Sequence, residues 1–378
     1  MGARGTVDPR IVSVVAELPG PRWTTGELLA ASGDRLSGPL REMLSSLGVD
    51  SRHSVLANFP EVLFAGATPE LATPAGELAA AAVRRCMDRA GADFGSVGLV
   101  LGVTSSPGRL LPSLVCDLFA LIPEIPRDAS SLSISYMGCS AIAKVVETAR
   151  WYLTCHPDKH VLVSFMDAIT PLSPPLPGRY LHFNEIAPER RQETVDAMHG
   201  FLFGDASVGM LLGADGPGPV LGPVAGVTNE RPEDAELGTV PDGGSDIPEV
   251  YGRRLYTLSP DVSARGRAYA SATVRSLIAT GECGLDRPAD ASLMLMHTGS
   301  KRILDSLCAE FGVPTDSPVV ASSYRVLRRY GNTIGCSVPL MLAEPVLRTA
   351  GEGIVMAFGL SFSCGAFSLT VPEGGWRP

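Results

Sequence analysis

The 378-residue chain has almost no lysine: only Lys144, Lys159 and Lys301 occur, and its 31 basic residues are outnumbered by 40 acidic ones, leaving a net charge of −9. That balance argues against a general nucleic-acid binder, whose affinity rests on clustered cations. No apolar run approaches the eighteen or so residues of a membrane span, and the run at 11–18 lacks the cleavage site of a secretory signal. It reads as a first strand. The start Met1-Gly2-Ala3-Arg4-Gly5-Thr6 matches a myristoylation pattern, but without a second membrane signal it is not read as an anchor. None of the eight cysteines forms a Cys-x-x-Cys pair, so free thiols in a reducing cytoplasm are expected. Charged residues are only 19 % against 45 % apolar, which excludes a disordered chain.

What is present is a repeated alternation. The length allows two or three folding units. Buried-strand patterns at 96–104, 161–165, 208–212, Leu293–Met296 and 354–358 alternate with helical spacing. Strands apolar on both faces predict helices above and below. Thr73-Pro74 opens a predicted helix that runs to Ala90 and leads into the strand at 96, and a helix at 267–279 leads in the same way into the strand ending at Met296. The expectation is an α/β protein of two similar halves, 1–215 and 216–378, parted where glycine and proline at 213–219 break the periodicity. Two proline-rich loops, 171–178 and the acidic 229–248, have the length of lids or partner contacts, or of plain solvated surface.

Residues 131–136 read as a strand, Met137-Gly138-Cys139-Ser140 as a sharp turn, and 141–152 as a helix. Cys139 then stands at a helix start, where unpaired N–H groups and the helix dipole favour a thiolate and Gly138 permits close backbone approach. An acyl group would be received there. The other cysteines are expected to be small buried hydrophobes. His297 follows an apolar strand and precedes a predicted helix at Lys301–Phe311, a position where open α/β sheets present ligand-binding groups. Asn332 sits in the turn Tyr330-Gly331-Asn332-Thr333-Ile334-Gly335 ahead of an apolar helix, and alone would be an ordinary turn residue.

With this Cys, His and Asn set the sequence resembles the thiolase superfamily, specifically the type III polyketide synthases and ketoacyl synthase III. The resemblance covers nearly the whole chain. It is carried by Gly108-Arg109-Leu110-Leu111-Pro112-Ser113-Leu114, Met137-Gly138-Cys139, Leu202-Phe203-Gly204-Asp205, His297-Thr298-Gly299 and Val326-Leu327-Arg328-Arg329-Tyr330-Gly331-Asn332. It implies a thiolase-like fold of two pseudo-duplicated α/β halves in five layers, a homodimer, and a cytoplasmic acyltransferase that needs no metal or redox cofactor. The implied partners are acyl-CoA, malonyl-CoA and an acyl carrier protein. The implied reaction is a decarboxylative Claisen condensation through acyl-Cys139, with His297 and Asn332 donating hydrogen bonds to the enolate. His297-Thr298-Gly299-Ser300 stands where type III polyketide synthases usually carry His-Pro-Gly-Gly. Asn332-Thr333 and Ser337-Val338-Pro339-Leu340 are closer to ketoacyl synthase III.

The resemblance suggests weaker assignments as well. Phe183 falls near the position of a gatekeeping aromatic beside the extender, and Arg52 in a segment resembling the pantetheine entrance, where a cation suits a coenzyme A phosphate. Arg325 and Arg328, with Arg329, would receive coenzyme A phosphates or a carrier protein, a solvated helix face being the plainer reading. Asp205 is expected to fix backbone by hydrogen bonds rather than react. The rival functions are an acyltransferase that moves the Cys139-bound group to an alcohol, amine or carrier without decarboxylation, and a non-catalytic thiolase-like partner subunit. A cysteine hydrolase on another fold lacks its signature around Cys139.

Overall fold

Two runs of strands with the same internal order build the molecule. The computed structural model describes residues 6–240, 256–344, 350–360 and 362–378. Residues 1–5 of the myristoylation pattern and 241–248 of the acidic loop lie outside these.

The first half runs from β1 (Arg10–Glu17) through a ribbon of β2 (Arg22–Thr24) and β3 (Ser51–His53) with helices α1 (Thr25–Ala31), α2 (Gly38–Ser45) and α3 (Phe59–Ala65). It continues with α4 (Ala75–Ala90), β4 (Val97–Thr104), α5 (Leu114–Leu121), β5 (Ser130–Ser135), α6 (Ala141–Cys155), β6 (His160–Asp167), α7 (Arg191–Leu202) and β7 (Ala206–Gly213). The second half holds β8 (Val220–Thr228), the short pair β9 (Gly238–Thr239) and β10 (Thr257–Leu258), α8 (Val262–Ala279), β11 (Leu293–Met296), α9 (Lys301–Phe311), α10 (Ala321–Tyr330), α11 (Ser337–Leu342), β12 (Gly351–Gly359) and β13 (Ser363–Val371).

The strands stand in the order β11-β12-β13-β8-β1-β7-β6-β4-β5. Within the first half β4 and β6 are parallel while β6–β7 and β7–β1 are antiparallel. The second half repeats this: β11–β12 parallel, then β12–β13 and β13–β8 antiparallel. The two sets meet through one pairing, Arg10 with Val220. Under this correspondence α4 matches α8, and α6 matches α11, so the turn bearing Cys139 and the turn following Asn332 are equivalent starts of the two central helices. The sequence expectation of two similar halves takes this concrete form.

Each central helix crosses to the other half's sheet. α6 packs on β8 and β13, α11 on β1 and β7. Both are buried on every side that the strands cover, which is why α6 carries Ala141, Ala143, Val145, Val146 and Ala149 rather than polar residues. Gly365 of β13 lies so close to Ala143 that a side chain there would overlap it. The apolar residues form three clusters in accord with five layers: α4 and α5 against the first sheet, α6 and α11 between the sheets, and α8 and α9 against the second. Leu28, Leu40, Leu44 and Leu63 of α1–α3 join the last cluster, which also contains Cys139. α4 begins at Ala75, one residue later than Thr73-Pro74 suggested, with Pro74 as the N-cap residue and no side-chain cap bond. The eight cysteines are free. Among the described residues no helix is long and apolar enough to cross a membrane.

Candidate active site

Cys139 is presented by a strained turn. β5 ends at Ser135, Tyr136 takes φ 59° and Gly138 φ 55°, and a short 3-10 turn, Gly138–Ser140, leads into α6. Positive φ is unfavourable for tyrosine, and such strain gathers at functional sites. Gly359, at the end of β12, passes directly beside the turn: a Cβ on it would overlap the Met137 carbonyl and stand 3.3 Å from the Cys139 nitrogen. His297 follows β11, its N–H donating to the Met356 carbonyl at 3.0 Å. Its ring stands edge-on to Phe358, centroids 5.4 Å apart, one residue before Gly359.

Asn332 is held by a crossing of two chains. Its N–H donates to Leu202 and its carbonyl accepts from Gly204, at 2.9 and 3.2 Å. Glycine is required on both sides, since a Cβ on Gly331 (φ 73°) would stand 2.5 Å from the Leu202 oxygen and one on Gly204 would overlap the Tyr330 oxygen. The Asn332 Oδ1 accepts from the Ile334 N–H at 2.9 Å, which leaves the carboxamide NH2 as the end free to donate. Ile334 is held at φ 48°, a costly conformation for a β-branched residue.

Three polar links close these turns into a ring. Thr298, next to His297, donates to the Ser337 hydroxyl at 2.8 Å, and that hydroxyl accepts from the Thr333 N–H beside Asn332. Asp167, at the end of β6, accepts from the N–H of Gly335 at 2.8 Å and, through its other oxygen, from the Ser105 N–H and Ser106 hydroxyl at 2.8 and 2.9 Å. Ser105 in turn accepts from the Gly138 N–H at 3.0 Å, beside Cys139. The contact of Gly359 with the Cys139 turn, through Phe358 to His297, completes the circuit. The structure therefore brings the turns of Cys139, His297 and Asn332 together, with all three side chains more than nine-tenths buried.

Burial decides their charge. The Cys139 thiol is pushed well above its usual range, first by desolvation and then by Asp167, only partly offset by its own backbone N–H. The thiolate expected from the helix start is thus corrected: the resting thiol is protonated. Burial pushes His297 down to about 3, so its imidazole is neutral, and Nδ1 has no hydrogen-bond partner among the described residues. Asp167 is pushed up to about 6 by the same cause, against its hydrogen bonds.

Other expectations need correction. Arg52 is 0 % exposed; its guanidinium donates to the Thr25 hydroxyl and the Phe201 carbonyl at 2.8 and 2.7 Å, so it faces no coenzyme A phosphate. Phe183 lies in a short turn, Phe183–Glu185, under the Arg191 guanidinium at 4.4 Å, outside the cluster that holds Cys139. The aromatics that do share that cluster include Phe201, Phe203, Tyr256, Phe358 and Phe362. Arg325 forms a two-pronged pair with Glu344, leaving Arg328, which is exposed and 3.9 Å from Asp50, as the freer cation. Asp205 behaves as expected, accepting from the N–H groups of Val55, Ile169 and Thr170 and from the Thr170 hydroxyl. Sequence reasoning missed Asp167, Ser105 and Ser337. Only the position of Asp167 just past the predicted strand at 161–165 hinted at a site residue.

Residues 285–371 match the family model of the 3-oxoacyl-[acyl-carrier-protein] synthase III C terminal. A beta-ketoacyl-[acyl-carrier-protein] synthase III of Nitratidesulfovibrio vulgaris is 26 % identical over 304 residues, 77 % of this chain and 82 % of that protein. The type III polyketide synthase domain of Steely1 from Dictyostelium superposes with a TM-score of 0.76 at 17 % identity, over 96 % of this chain and 99 % of that one. The chain resembles the condensing enzymes of the thiolase superfamily. It has their fold, and 3-oxoacyl-(acyl carrier protein) synthase III of Pseudomonas aeruginosa PAO1 superposes as fully, with a TM-score of 0.72, 18 % identity and coverage of 97 % and 99 %. Solved structures of both kinds expected from the sequence thus share its fold.

Proposed function

We propose that the chain catalyses decarboxylative Claisen condensation of an acyl thioester primer with a malonyl thioester, in the manner of a type III polyketide synthase. The observation that carries the reading is the carboxamide of Asn332, whose oxygen is occupied by the Ile334 N–H so that its NH2 is left to donate, on a turn linked to those of His297 and Cys139. Cys139 attacks the primer carbonyl while neutral His297 takes the thiol proton and returns it to the departing coenzyme A sulfur; acyl-Cys139 and a free thiol result. The malonyl thioester then loses CO2, and the electron pair of the broken C–C bond moves onto the thioester oxygen as an enolate. His297 and Asn332 N–H groups donate to that oxygen, stabilising charge that exists only along the reaction path. The enolate carbon attacks acyl-Cys139, the Cys139 sulfur leaves and takes up one proton, and a β-ketoacyl thioester is released.

Coenzyme A thioesters are the carriers, with Arg328 on the exposed end of α10 as the cation nearest to freedom for a phosphate or an acidic carrier protein. Two copies of the chain associate along the edge strand β5. Leu132 on that strand and Tyr136 just after it are exposed, and a second edge would cover them.

The deciding experiment incubates the enzyme with an acyl-CoA panel and carboxyl-labelled malonyl-CoA. An acyl mass on Cys139, labelled CO2 and a β-ketoacyl product are expected, and Cys139→Gln should still release CO2. Acylation of Cys139 without any CO2 would leave only a transferase and overturn the condensing reading. Sedimentation of the purified chain reads the dimer directly.

A further inference from the structure

One buried group has no part in the chemistry above. His199, on α7, is 1 % exposed, and neither of its ring nitrogens has a hydrogen-bond partner among the described residues. Two aromatic rings enclose it edge-on, Phe203 at 5.4 Å and Tyr256 at 5.8 Å. Both lead to the reacting groups: Phe203 pairs with Asn332, and Tyr256 belongs to the apolar cluster that contains Cys139. Burial keeps His199 neutral, pushed down to about 3, so one nitrogen donates and the other accepts.

Closing an imidazole off from water with both nitrogens idle is costly, and packing alone would be served better by phenylalanine or leucine. A ligand that supplies an acceptor and a donor removes the cost. A hydroxyl does both, a carbonyl accepts the N–H, and a saturated chain does neither.

The geometry points to a recognition subsite in which His199, edge-on to the Tyr256 ring, hydrogen-bonds an oxygen substituent on the acyl chain carried by Cys139. The preferred primers are therefore hydroxyacyl or oxoacyl thioesters rather than alkyl ones of equal length. This names the substrate class of the proposed condensation and rests on that reading. A site built to bond a substrate hydroxyl rejects the analogue lacking it far more strongly than an apolar pocket resolves one methylene.

The test uses the full chain with paired acyl-CoA series of equal length, hydroxylated at successive positions or plain, and reads kcat/KM together with the mass of Cys139. The wild type should favour one hydroxylated primer by about tenfold or more. That ratio should collapse toward one in His199→Phe and survive in His199→Gln, whose amide offers a donor and an acceptor. If His199→Phe does not fold, Tyr256→Phe removes a single oxygen from the same enclosure and should lower the ratio. A wild type indifferent to hydroxylation at every position, or a ratio that persists in His199→Phe or, where that variant does not fold, in Tyr256→Phe, overturns the subsite. Adducts on Cys139 without discrimination sink the subsite alone, whereas no adduct from any primer sinks the condensing reading with it.

Discussion

The carboxylate of Asp167 accepts the N–H of Gly335 across 168 residues of chain at 2.8 Å, and its other oxygen accepts the N–H of Ser105, the residue whose hydroxyl accepts the Gly138 N–H. One side chain thus spans the pseudo-equivalent turns at the starts of the two central helices. It touches no reacting atom in the proposed cycle and is a positioning residue.

Asp167→Asn is isosteric but replaces one acceptor oxygen with a donor that must face either Gly335 or the Ser105–Ser106 pair. An N–H then meets an N–H, at a cost of about 1–3 kcal/mol in unfolding free energy, read by urea titration. Displacement of the Asn332 turn should lower kcat by about tenfold or more while KM stays within a few-fold, because reaction geometry is lost before binding. Equal loss in both parameters would mean that Asp167 supports the substrate site as a whole.

Asn332→Ala removes the proposed enolate donor. Decarboxylation of malonyl-CoA should slow by about 10²–10³-fold, the usual effect of deleting one such donor, while the acyl mass on Cys139 still appears. Slowed acylation with normal CO2 release would assign the carboxamide to the first half-reaction instead.

Much of this was legible beforehand, and the failures have a common cause. Strands such as β4 and β11 are apolar on both faces, so their pattern survives without knowledge of neighbours, and the turn of Cys139 announced itself by Gly138 after a strand. Arg52 did not. The resemblance put it at a coenzyme A entrance, and only the fold reveals the Thr25 and Phe201 oxygens that accept from it, the second 149 residues away. Asp167 and His199 likewise draw their meaning from partners, or from the lack of them, far along the chain. The thiol of Cys139 was misjudged because the helix start was visible while the desolvation was not.

Arg52 supplies a direct test of its corrected place. Arg52→Met keeps volume and stem but deletes the donors to Thr25 and Phe201, leaving buried oxygens unpaired, so unfolding free energy should fall by about 1–3 kcal/mol. The KM for coenzyme A thioesters should stay within about twofold, since the guanidinium has no access to a phosphate. A tenfold rise in KM at unaltered stability would restore Arg52 to the entrance.

The last prediction concerns pH. His199 titrates near 3 when folded and near 6.5 when unfolded. Between those values the unfolded chain holds a proton that the native one lacks, so this residue's contribution is complete above about 6.5 and is lost as pH falls toward 3. His297 acts in the same sense, whereas Asp167 and Asp205, both pushed up to about 6, oppose it between about 4 and 6, where the native chain holds the extra protons. Wild-type stability alone therefore mixes several groups. The comparison with His199→Phe isolates one: between pH 4 and 6 its unfolding free energy should climb less steeply than that of the wild type, by about 1.4 kcal/mol per pH unit. Urea titrations at four pH values suffice. Parallel slopes would mean that the native imidazole gains its proton as readily as the unfolded one, and a ring that does so is in contact with water rather than waiting for a substrate oxygen.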